Sequence, residues 1–372
     1  MLQHFFSRQL LLKKSRDVVI LNEEQTALIK GMVSNLPLDI VASSVYNLTD
    51  KQKIAKAVSV LQDYKIYVNE NLGIINSNFS GVYGKNYPMI VNFELTNYCN
   101  FKCPFCYKNA CPLNTVFLDS EILYNFAEKY RKKIPLVHLT GGEPLSHPDI
   151  NSILTKLLPH FLVNITTNLS LLHRIDIDLL NKINNFQVSL YGFDVESYKM
   201  NTGISAFNQV EKNLRFLIKE KIPHYVMLLA TPFVIENAEK YKSLLNKLGE
   251  TNVRIEGVNG FGRASEDFFD DNAIADLRDR MNGNTEEEFN VLTSNSTSCM
   301  YPRCGAGSYQ ITINESGYIV PCIQLSYPEF YMDRYDNFDK FINTSQEKAF
   351  VKLMHKNKLN FSNYCSYMED LK

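Results

Sequence analysis

The sequence contains no apolar run of the roughly 18–20 residues that a membrane span requires, so no membrane span is expected. Its first residues carry no positively charged leading region, and Leu10–Leu12 is too short an apolar run for a signal peptide. The 39 basic and 40 acidic residues leave a net charge of -1, which gives no bulk attraction for nucleic acid. These absences predict a globular cytoplasmic protein that does not bind nucleic acid.

The chain has eight cysteines and no export signal, so we expect them in a reducing compartment. Spaced cysteines in such a compartment serve metal binding or catalysis more often than disulfides. None of them falls within residues 1–86. Any metal-binding or catalytic cysteine of this protein therefore lies after residue 86.

Residues 1–86 are predicted to form a small α+β module. Asp17–Leu21 is rich in β-branched residues and reads as a strand, and Thr49–Gln52 is a capping box that begins a helix. The size and element types are compatible with a winged-helix element. A linker containing Gly81, Gly84 and Pro88 follows.

Residues 87–283 alternate short apolar runs with amphipathic helices, which is typical of an α/β fold with a parallel sheet. The six runs favour a partial (β/α)6 barrel, in which functional residues gather at the C-terminal ends of the strands. The predicted strands are Ile90–Leu95, Leu136–Leu139, Leu162–Thr166, Gln187–Leu190, Tyr225–Leu229 and Val253–Ile255.

Residues 284–372 are predicted to form a third, C-terminal domain. Tyr309–Ile313 and Tyr318–Val320 flank a glycine-containing turn, the pattern of a β-hairpin. Cys304 and Cys322 lie on either side of this hairpin.

Cys99, Cys103 and Cys106 follow the first predicted barrel strand at close spacing. Thiolates are the usual ligands of iron–sulfur clusters, and three of them leave one iron of a cubane open for a small molecule. The alternatives are three buried loop cysteines or a zinc site that lacks its fourth ligand.

The pattern Cys-x3-Cys-x-aromatic-Cys after a strand resembles the signature of the radical S-adenosylmethionine (SAM) superfamily. The resemblance implies a [4Fe-4S] cluster whose unique iron binds the amino and carboxylate groups of SAM. It also implies that reduction cleaves SAM to a 5′-deoxyadenosyl radical, which abstracts hydrogen from a substrate.

Further segments at strand ends are similar to the SAM-binding motifs of that superfamily. Leu139–Pro144 resembles the motif that grips the SAM amino group, and the ends of the third and fourth strands resemble segments that line SAM. The implied cofactor-binding residues are Phe105, Gly141, Gly142, Glu143, Pro144, Asn168 and Ser189. Each has a plainer interpretation as a turn or a polar strand end.

The cysteines of the C-terminal region resemble the first half of a SPASM domain, which binds auxiliary clusters. A full SPASM domain has more cysteines than this chain offers. Four thiolates suit one cluster, so the resemblance implies a smaller, twitch-like domain and a second auxiliary iron–sulfur cluster. Its implied ligands are Cys299, Cys304, Cys322 and Cys365.

Enzymes with such tails commonly modify ribosomally made peptides, as in sactipeptide thioether formation. The resemblance therefore implies a peptide substrate with a leader, captured by strand addition at the N-terminal module, and a reductant such as flavodoxin or ferredoxin. The alternatives are tailoring of a small molecule or tetrapyrrole cofactor precursor, and a catalytically silent scaffold.

Three further side chains, two arginines and one cysteine, are of chemical interest. Arg254 and Arg263 are candidates for pairing with a carboxylate of SAM or substrate through a bidentate fork. Cys111 is interpreted as a loop cysteine without a role, although a substrate-facing thiol is the alternative.

Overall fold

The computed structural model describes residues 87–88, 90–258, 261–264, 271–281 and 310–343 continuously. It also describes residues 2–6, 9–12, 17–20, 78–80 and 291–293 and the single positions 42, 52, 55, 56 and 59. No helix of these residues is both long and apolar enough to cross a membrane.

The strands are numbered in chain order over the described residues. They are β1 (Leu2–Phe6), β2 (Gln9–Leu12), β3 (Asp17–Ile20), β4 (Asn78–Ser80), β5 (Ile90–Glu94), β6 (Leu136–Thr140), β7 (Leu162–Thr167), β8 (Asn185–Ser189), β9 (His224–Leu229), β10 (Val253–Glu256), β11 (Val291–Thr293), β12 (Gln310–Ile313), β13 (Tyr318–Val320) and β14 (Asp333–Arg334).

The α-helices of the described ranges are numbered likewise. They are α1 (Ser120–Tyr130), α2 (Ile150–Leu157), α3 (Ile177–Leu180), α4 (Val195–Thr202), α5 (Phe207–Lys219), α6 (Pro232–Glu236), α7 (Ala238–Leu248), α8 (Asp271–Met281) and α9 (Phe338–Asn343).

The central sheet confirms the predicted α/β class and the partial (β/α)6 barrel. Strands β5 to β10 lie side by side in chain order, and every neighbouring pair is parallel. The connections between them carry the helices, as parallel returns require. All six strands agree with the predicted ones to within about two residues.

The predicted C-terminal hairpin is confirmed, but its attachment was not foreseen. Strand β12 pairs with β13 in an antiparallel manner and also lies parallel to β5, the first barrel strand. The resulting order is β10-β9-β8-β7-β6-β5-β12-β13-β14. The hairpin therefore extends the barrel sheet directly.

A second sheet contains the strand predicted at Asp17–Leu21, observed as β3. Its order is β11-β3-β2-β1-β4, so β11 of the C-terminal region pairs with a strand of the N-terminal region. Residues 52, 55, 56 and 59 are helical, in agreement with a helix after Thr49, which itself lies outside the described residues. The winged-helix type and the boundaries at 86 and 283 stay predictions.

The barrel strands have two faces of different chemistry, because side chains alternate along a strand. The outward side chains of β5 and β6 are apolar and fully buried, including Phe93, which packs edge-on against Phe126 of α1 at 4.9 Å. Each such side chain stabilises the fold by about 1.5–3 kcal/mol. The inward faces of these two strands carry the buried polar side chains Asn92, Glu94, His138 and Thr140.

Inward side chains from neighbouring strands are hydrogen-bonded across the sheet. The Asn92 amide donates to Thr312 Oγ1 at 3.1 Å, which joins β5 to β12. His138 contacts Asn92 through Nδ1 (3.1 Å) and Thr166 through Nε2 (2.7 Å). Satisfied polar groups of this kind can be buried without a large penalty, so the barrel interior around β5, β6 and β7 can hold polar side chains.

Away from the C-terminal ends of the strands, His224 and Glu250 form a buried pair. His224 Nε2 lies 2.6 Å from Glu250 Oε2, and its Nδ1 lies 2.6 Å from the Ile222 carbonyl oxygen. Both partners can accept a hydrogen bond, so the surroundings favour the protonated ring, in which both nitrogens donate. Burial lowers the pKa of His224, but its two acceptors raise it more, and the net pKa lies above 6.5.

We predict that His224→Gln is more destabilising at pH 6 than at pH 9. A raised folded-state pKa stabilises the fold fully below the unfolded value of 6.5 and loses this effect as pH rises through the folded value. The expected loss in unfolding free energy near pH 6 is about 1.5–3 kcal/mol. Denaturant titrations at the two pH values measure it, with the exposed His160→Gln as control. An equal loss at both values would contradict the assignment.

Candidate functional site

The three cysteines of the predicted signature lie on one loop after β5, here called the cysteine loop (Cys99–Cys106). Its backbone is fixed from outside. The Cys99 amide donates to the Cys111 carbonyl at 3.3 Å, and the Lys102 amide donates to the Thr202 carbonyl, at the end of α4, at 3.1 Å. Helix α4 is itself defined at both ends by the Asp194–Ser197 capping box and a left-handed Gly203.

The thiols of this loop are largely shielded from solvent. Burial, and after it the Glu143 carboxylate, raises the pKa of the Cys99 thiol to about 12. The Phe101 amide (3.4 Å) and the Asn168 amide (3.9 Å) donate to Cys99 Sγ and act in the opposite direction. Burial and the neighbouring Cys99 and Cys106 likewise raise the pKa of Cys103 well above its usual range. Three adjacent thiolates at this site need a cation such as iron.

The arrangement fits a cubane better than a single metal ion. Among the residues that the structure describes, no group of three His, Cys, Asp or Glu side chains is arranged to hold one metal ion. A cubane does not require such a group, because each thiolate binds a different iron. The choice between a cubane and a zinc site at the three cysteines stays a prediction.

A cavity of about 250 Å³ opens beside the cysteine loop at the C-terminal ends of the strands. All three thiols line it, and polar side chains from β6, β7 and β8 form the opposite wall. Of the predicted cofactor residues, those that line the cavity are Phe105, Gly141, Gly142, Asn168 and Ser189. The cavity therefore brings most of the predicted site together.

Gly141 and Gly142 are required by a close backbone approach. Gly141 has a φ of +120°, and a Cβ there would lie 2.5 Å from the Thr96 carbonyl oxygen. A Cβ on Gly142 would lie 2.0 Å from the Tyr98 carbonyl oxygen. The Gly142 amide donates to Thr96 at 2.7 Å. The glycines thus press the end of β6 against the entry to the cysteine loop.

Glu143 and Pro144 are buried behind the cavity wall and are not among its lining residues. The Glu143 carboxylate accepts from the Leu145 amide (3.0 Å), the Thr167 hydroxyl (2.7 Å) and the Asn168 amide (2.8 Å). Burial raises the pKa of Glu143 to about 7, while the three donors act against the rise. In this structure Glu143 ties the ends of β6 and β7 together.

Asn168 and Phe105 contact other parts of the cysteine loop and its surroundings. The Asn168 amide donates to Asn100 Oδ1 at 2.9 Å, and its oxygen accepts from the Ser170 amide and hydroxyl. The Phe105 ring lies 5.5 Å from the ring of Tyr191. Ser189, at the end of β8, is half-buried and faces the same cavity.

Arg263 is predicted from the sequence to pair with a carboxylate of SAM or substrate, which would require a guanidinium free to bind a ligand in the cavity. The Arg263 guanidinium is instead bound to the protein. Its guanidinium donates to the Cys103 carbonyl (2.8 Å), Asn109 Oδ1 (2.9 Å) and the Ala110 carbonyl (2.7 Å). Arg254 stacks on the Tyr225 ring at 4.0 Å and does not line the cavity. In this structure Arg263 contacts the cysteine loop and the segment that follows it.

A buried ionic network, missed by the sequence analysis, lies against the same loop. Lys108 Nζ is 2.7 Å from both Glu94 Oε2 and Glu315 Oε2, and its side chain is 4% exposed. Ser326 donates to the same Glu94 carboxylate. The network joins β5, the segment after the cysteine loop and the turn of the C-terminal hairpin. One sign of this network is visible in the sequence. Asn92 and Glu94 stand at alternate positions of β5, whose other residues are apolar.

We predict that Lys108→Met destabilises the protein by about 3–5 kcal/mol, because it leaves two buried carboxylates without their cation. The matched control is Lys129→Met, since Lys129 pairs with Asp339 at 2.5 Å with both side chains about half exposed. Its loss should be within about 1 kcal/mol. Denaturant unfolding of both variants measures the difference, and equal losses would remove the network from its structural role.

The C-terminal cysteines are only partly described. Cys322 follows β13, is half-buried and precedes the short 3-10 helix Ile323–Leu325. Ile323 and Gln324 of that helix line the cavity. Cys299, Cys304 and Cys365 lie outside the described residues, so the auxiliary cluster and its four ligands stay a prediction.

Residues 93–248 match the family model of the radical SAM superfamily. The chain contains a radical SAM domain. This family implies a [4Fe-4S] cluster and SAM as cofactors, and the domain spans the cysteine loop and the strands that line most of the cavity. The assignment of individual ligands stays a prediction.

Two kinds of relatives in sequence differ in how much of the chain they match. A probable GTP 3′,8-cyclase of Saccharolobus solfataricus is 30% identical over 177 residues, which is 44% of this chain and 55% of that protein. The subtilosin biosynthesis protein AlbA of Bacillus subtilis is 25% identical over 313 residues, 75% of this chain and 66% of that protein. The chain spans about half the length of the cyclases that it matches.

Two solved structures share the fold. SuiB of Streptococcus suis bound to S-adenosylmethionine superposes with a TM-score of 0.61 at 16% identity, covering 92% of this chain and 86% of that chain. The structure of anSMEcpe with bound AdoMet gives 0.53 at 15% identity, covering 75% and 84%. The likeness to SuiB extends over nearly the whole chain.

Proposed function

We propose that this chain is a radical SAM enzyme that modifies a ribosomally synthesised peptide. The observation that carries the proposal is the cavity into which Cys99, Cys103 and Cys106 all open. Their thiols would hold the [4Fe-4S] cluster, since all three residues line this one cavity. A scaffold without activity would have no need of three thiols in one cavity.

A bound cluster would supply the electron that cleaves SAM to methionine and a 5′-deoxyadenosyl radical, which takes a substrate hydrogen atom to give 5′-deoxyadenosine. The chain's residues bind and shield the reactants. Gly141 and Gly142 offer backbone groups at the cavity wall, and Asn168 and Ser189 offer polar side chains. Phe105 and Tyr191 offer apolar surface for the adenine. Burial of the site protects a radical from water.

The cavity chemistry favours a peptide over a nucleoside triphosphate. Triphosphates are usually bound by several arginines or lysines. Among the lining residues that the structure describes, Arg263 is the one arginine or lysine, and its guanidinium already donates three hydrogen bonds to the protein. The other lining residues include the amides of Gln187, Gln310 and Gln324, which suit a peptide's polar groups, together with apolar side chains and the Glu256 carboxylate, which would repel a triphosphate.

The relatives support the same substrate class. AlbA, a subtilosin biosynthesis protein, matches three quarters of the chain, whereas the cyclase matches less than half. SuiB, whose fold covers most of the chain, has been solved bound to the precursor peptide SuiA. The N-terminal module would then capture a leader segment, and a low-potential flavodoxin or ferredoxin in the cytoplasm would provide the electron. Thioether closure would release one electron and one proton, the electron passing to an auxiliary cluster.

We predict that Cys99→Ala, Cys103→Ala or Cys106→Ala each removes about four irons per chain after anaerobic reconstitution, since one cubane loses its binding site. Formation of 5′-deoxyadenosine from SAM should stop in all three variants. The matched control is Cys111→Ala, because Cys111 contacts the loop through its carbonyl, which the substitution keeps. Iron and sulfide analysis measures the change; a triad variant with wild-type iron would contradict the assignment.

The same iron count tests the auxiliary cluster. The double variant Cys304→Ala/Cys322→Ala should fall from about eight irons to about four, the content of one remaining cubane. It should still cleave SAM, because the cysteine loop is unchanged. Four irons in both wild type and double variant would remove the auxiliary cluster from the proposal.

The substrate class is tested by incubating reduced enzyme and SAM with a short precursor peptide encoded beside the gene or, in parallel, with GTP. We predict that the peptide stimulates 5′-deoxyadenosine formation and loses two hydrogens for each crosslink, as mass spectrometry would show. A peptide without its leader should react more slowly. Turnover of GTP instead would favour the second candidate function, tailoring of a small molecule, which the cyclase relatives suggest.

A further inference from the structure

The segment after β10, residues 261–264, crosses the back of the cysteine loop in close contact. Gly262 has a φ of +66°, and a Cβ there would lie 2.3 Å from the carbonyl oxygens of Cys106 and Tyr107. The next residue, Arg263, donates its amide to the Cys106 carbonyl at 3.0 Å. Only glycine permits this approach, which delivers the arginine side chain to the loop.

The Arg263 guanidinium then spans the loop and the segment that follows it. Nε binds the Cys103 carbonyl, Nη2 binds the Ala110 carbonyl and Nη1 binds the Asn109 side chain, all between 2.7 and 2.9 Å. A planar fork can make these three bonds together, whereas a lysine ammonium cannot match their geometry. The guanidinium thus holds Cys103, and the Arg263 amide holds Cys106, against the segment that follows β10.

The charge of Arg263 also lies beside the cysteine loop. Its guanidinium contacts the Cys103 carbonyl at 2.8 Å, so a positive charge is held against the backbone of a candidate cluster ligand. A positive charge favours the more negative state of a group close to it. The reduced form of an iron–sulfur cluster is more negative than its oxidised form, and nearby charge is among the determinants of its potential.

We propose that Arg263 is a positioning residue that fixes the cysteine loop and raises the reduction potential of its cluster. The inference rests on the proposed function, because it requires a cluster at Cys99, Cys103 and Cys106. The position of the loop and the potential of the cluster depend on different features of this one side chain. The hydrogen-bonding fork holds the loop, and the charge sets the potential.

Two substitutions separate these features. Arg263→Lys keeps the charge and loses the fork, whereas Arg263→Gln loses both. The matched control is Arg278→Gln, since Arg278 donates to the Ile255 carbonyl of β10 at 3.2 Å and makes no described contact with the cysteine loop. The measurements are iron release to a chelator, the midpoint potential from an EPR-monitored titration without SAM, and the melting temperature of the cluster-free protein.

Both Arg263 variants should release iron about tenfold faster than wild type, the change expected for one lost charge-assisted hydrogen bond. Only Arg263→Gln should show a more negative potential. Arg278→Gln should match wild type in both. The lysine and glutamine variants should have similar melting temperatures. A difference in folding would then not account for their different potentials.

Two results would overturn the inference while leaving the proposed function intact. In the first, wild type binds its cluster and Arg263→Gln matches it in iron release and potential. In the second, Arg263→Gln changes only the affinity for SAM, which would return the residue to a carboxylate-binding role. A wild-type protein that binds no cluster would instead overturn the proposed function itself.

Discussion

The candidate site depends on holding one short loop in a single conformation. Fixing a residue's backbone costs about 1–2 kcal/mol, and the cysteine loop has little regular structure of its own. Its conformation is imposed from outside: Thr202 at the end of α4 accepts from one side, and Arg263 after β10 donates from the other. The Tyr327 hydroxyl of the C-terminal region donates to the Tyr107 carbonyl just after the loop. Elements that are far apart in sequence therefore meet at the three thiols.

The parallel sheet explains why this convergence occurs where it does. The C-terminal ends of parallel strands share one edge, so the loops after β5, β6, β7 and β8 all open toward the same cavity. Polar inward side chains continue below that cavity, where His138 bridges Asn92 and Thr166. The outward faces are apolar and covered by helices. One sheet thus supplies stability on its outer face and polar chemistry on its inner face.

Local pattern was sufficient for the barrel and for most of the candidate site. Each strand has a short apolar run, and the spacing of Cys99, Cys103 and Cys106 and the Gly141-Gly142 pair are visible without a structure. The pairing of β12 with β5 was not visible, because it joins residues about 220 positions apart and leaves no local signal. For the same reason Arg263 was assigned to a ligand rather than to the cysteine loop, and the partners of Lys108 were missed.

That unforeseen pairing also shapes the cavity. Because β12 continues the sheet beyond β5, the chain after β13 returns to the cavity, and Ile323 and Gln324 form part of its wall. Cys322 immediately precedes them. Cys322 is thereby placed next to residues of the cavity wall, although it is not itself among the lining residues. The wall of the cavity is therefore completed by residues that lie more than 200 positions after the cysteine loop, and only the pairing of β12 with β5 brings the two together.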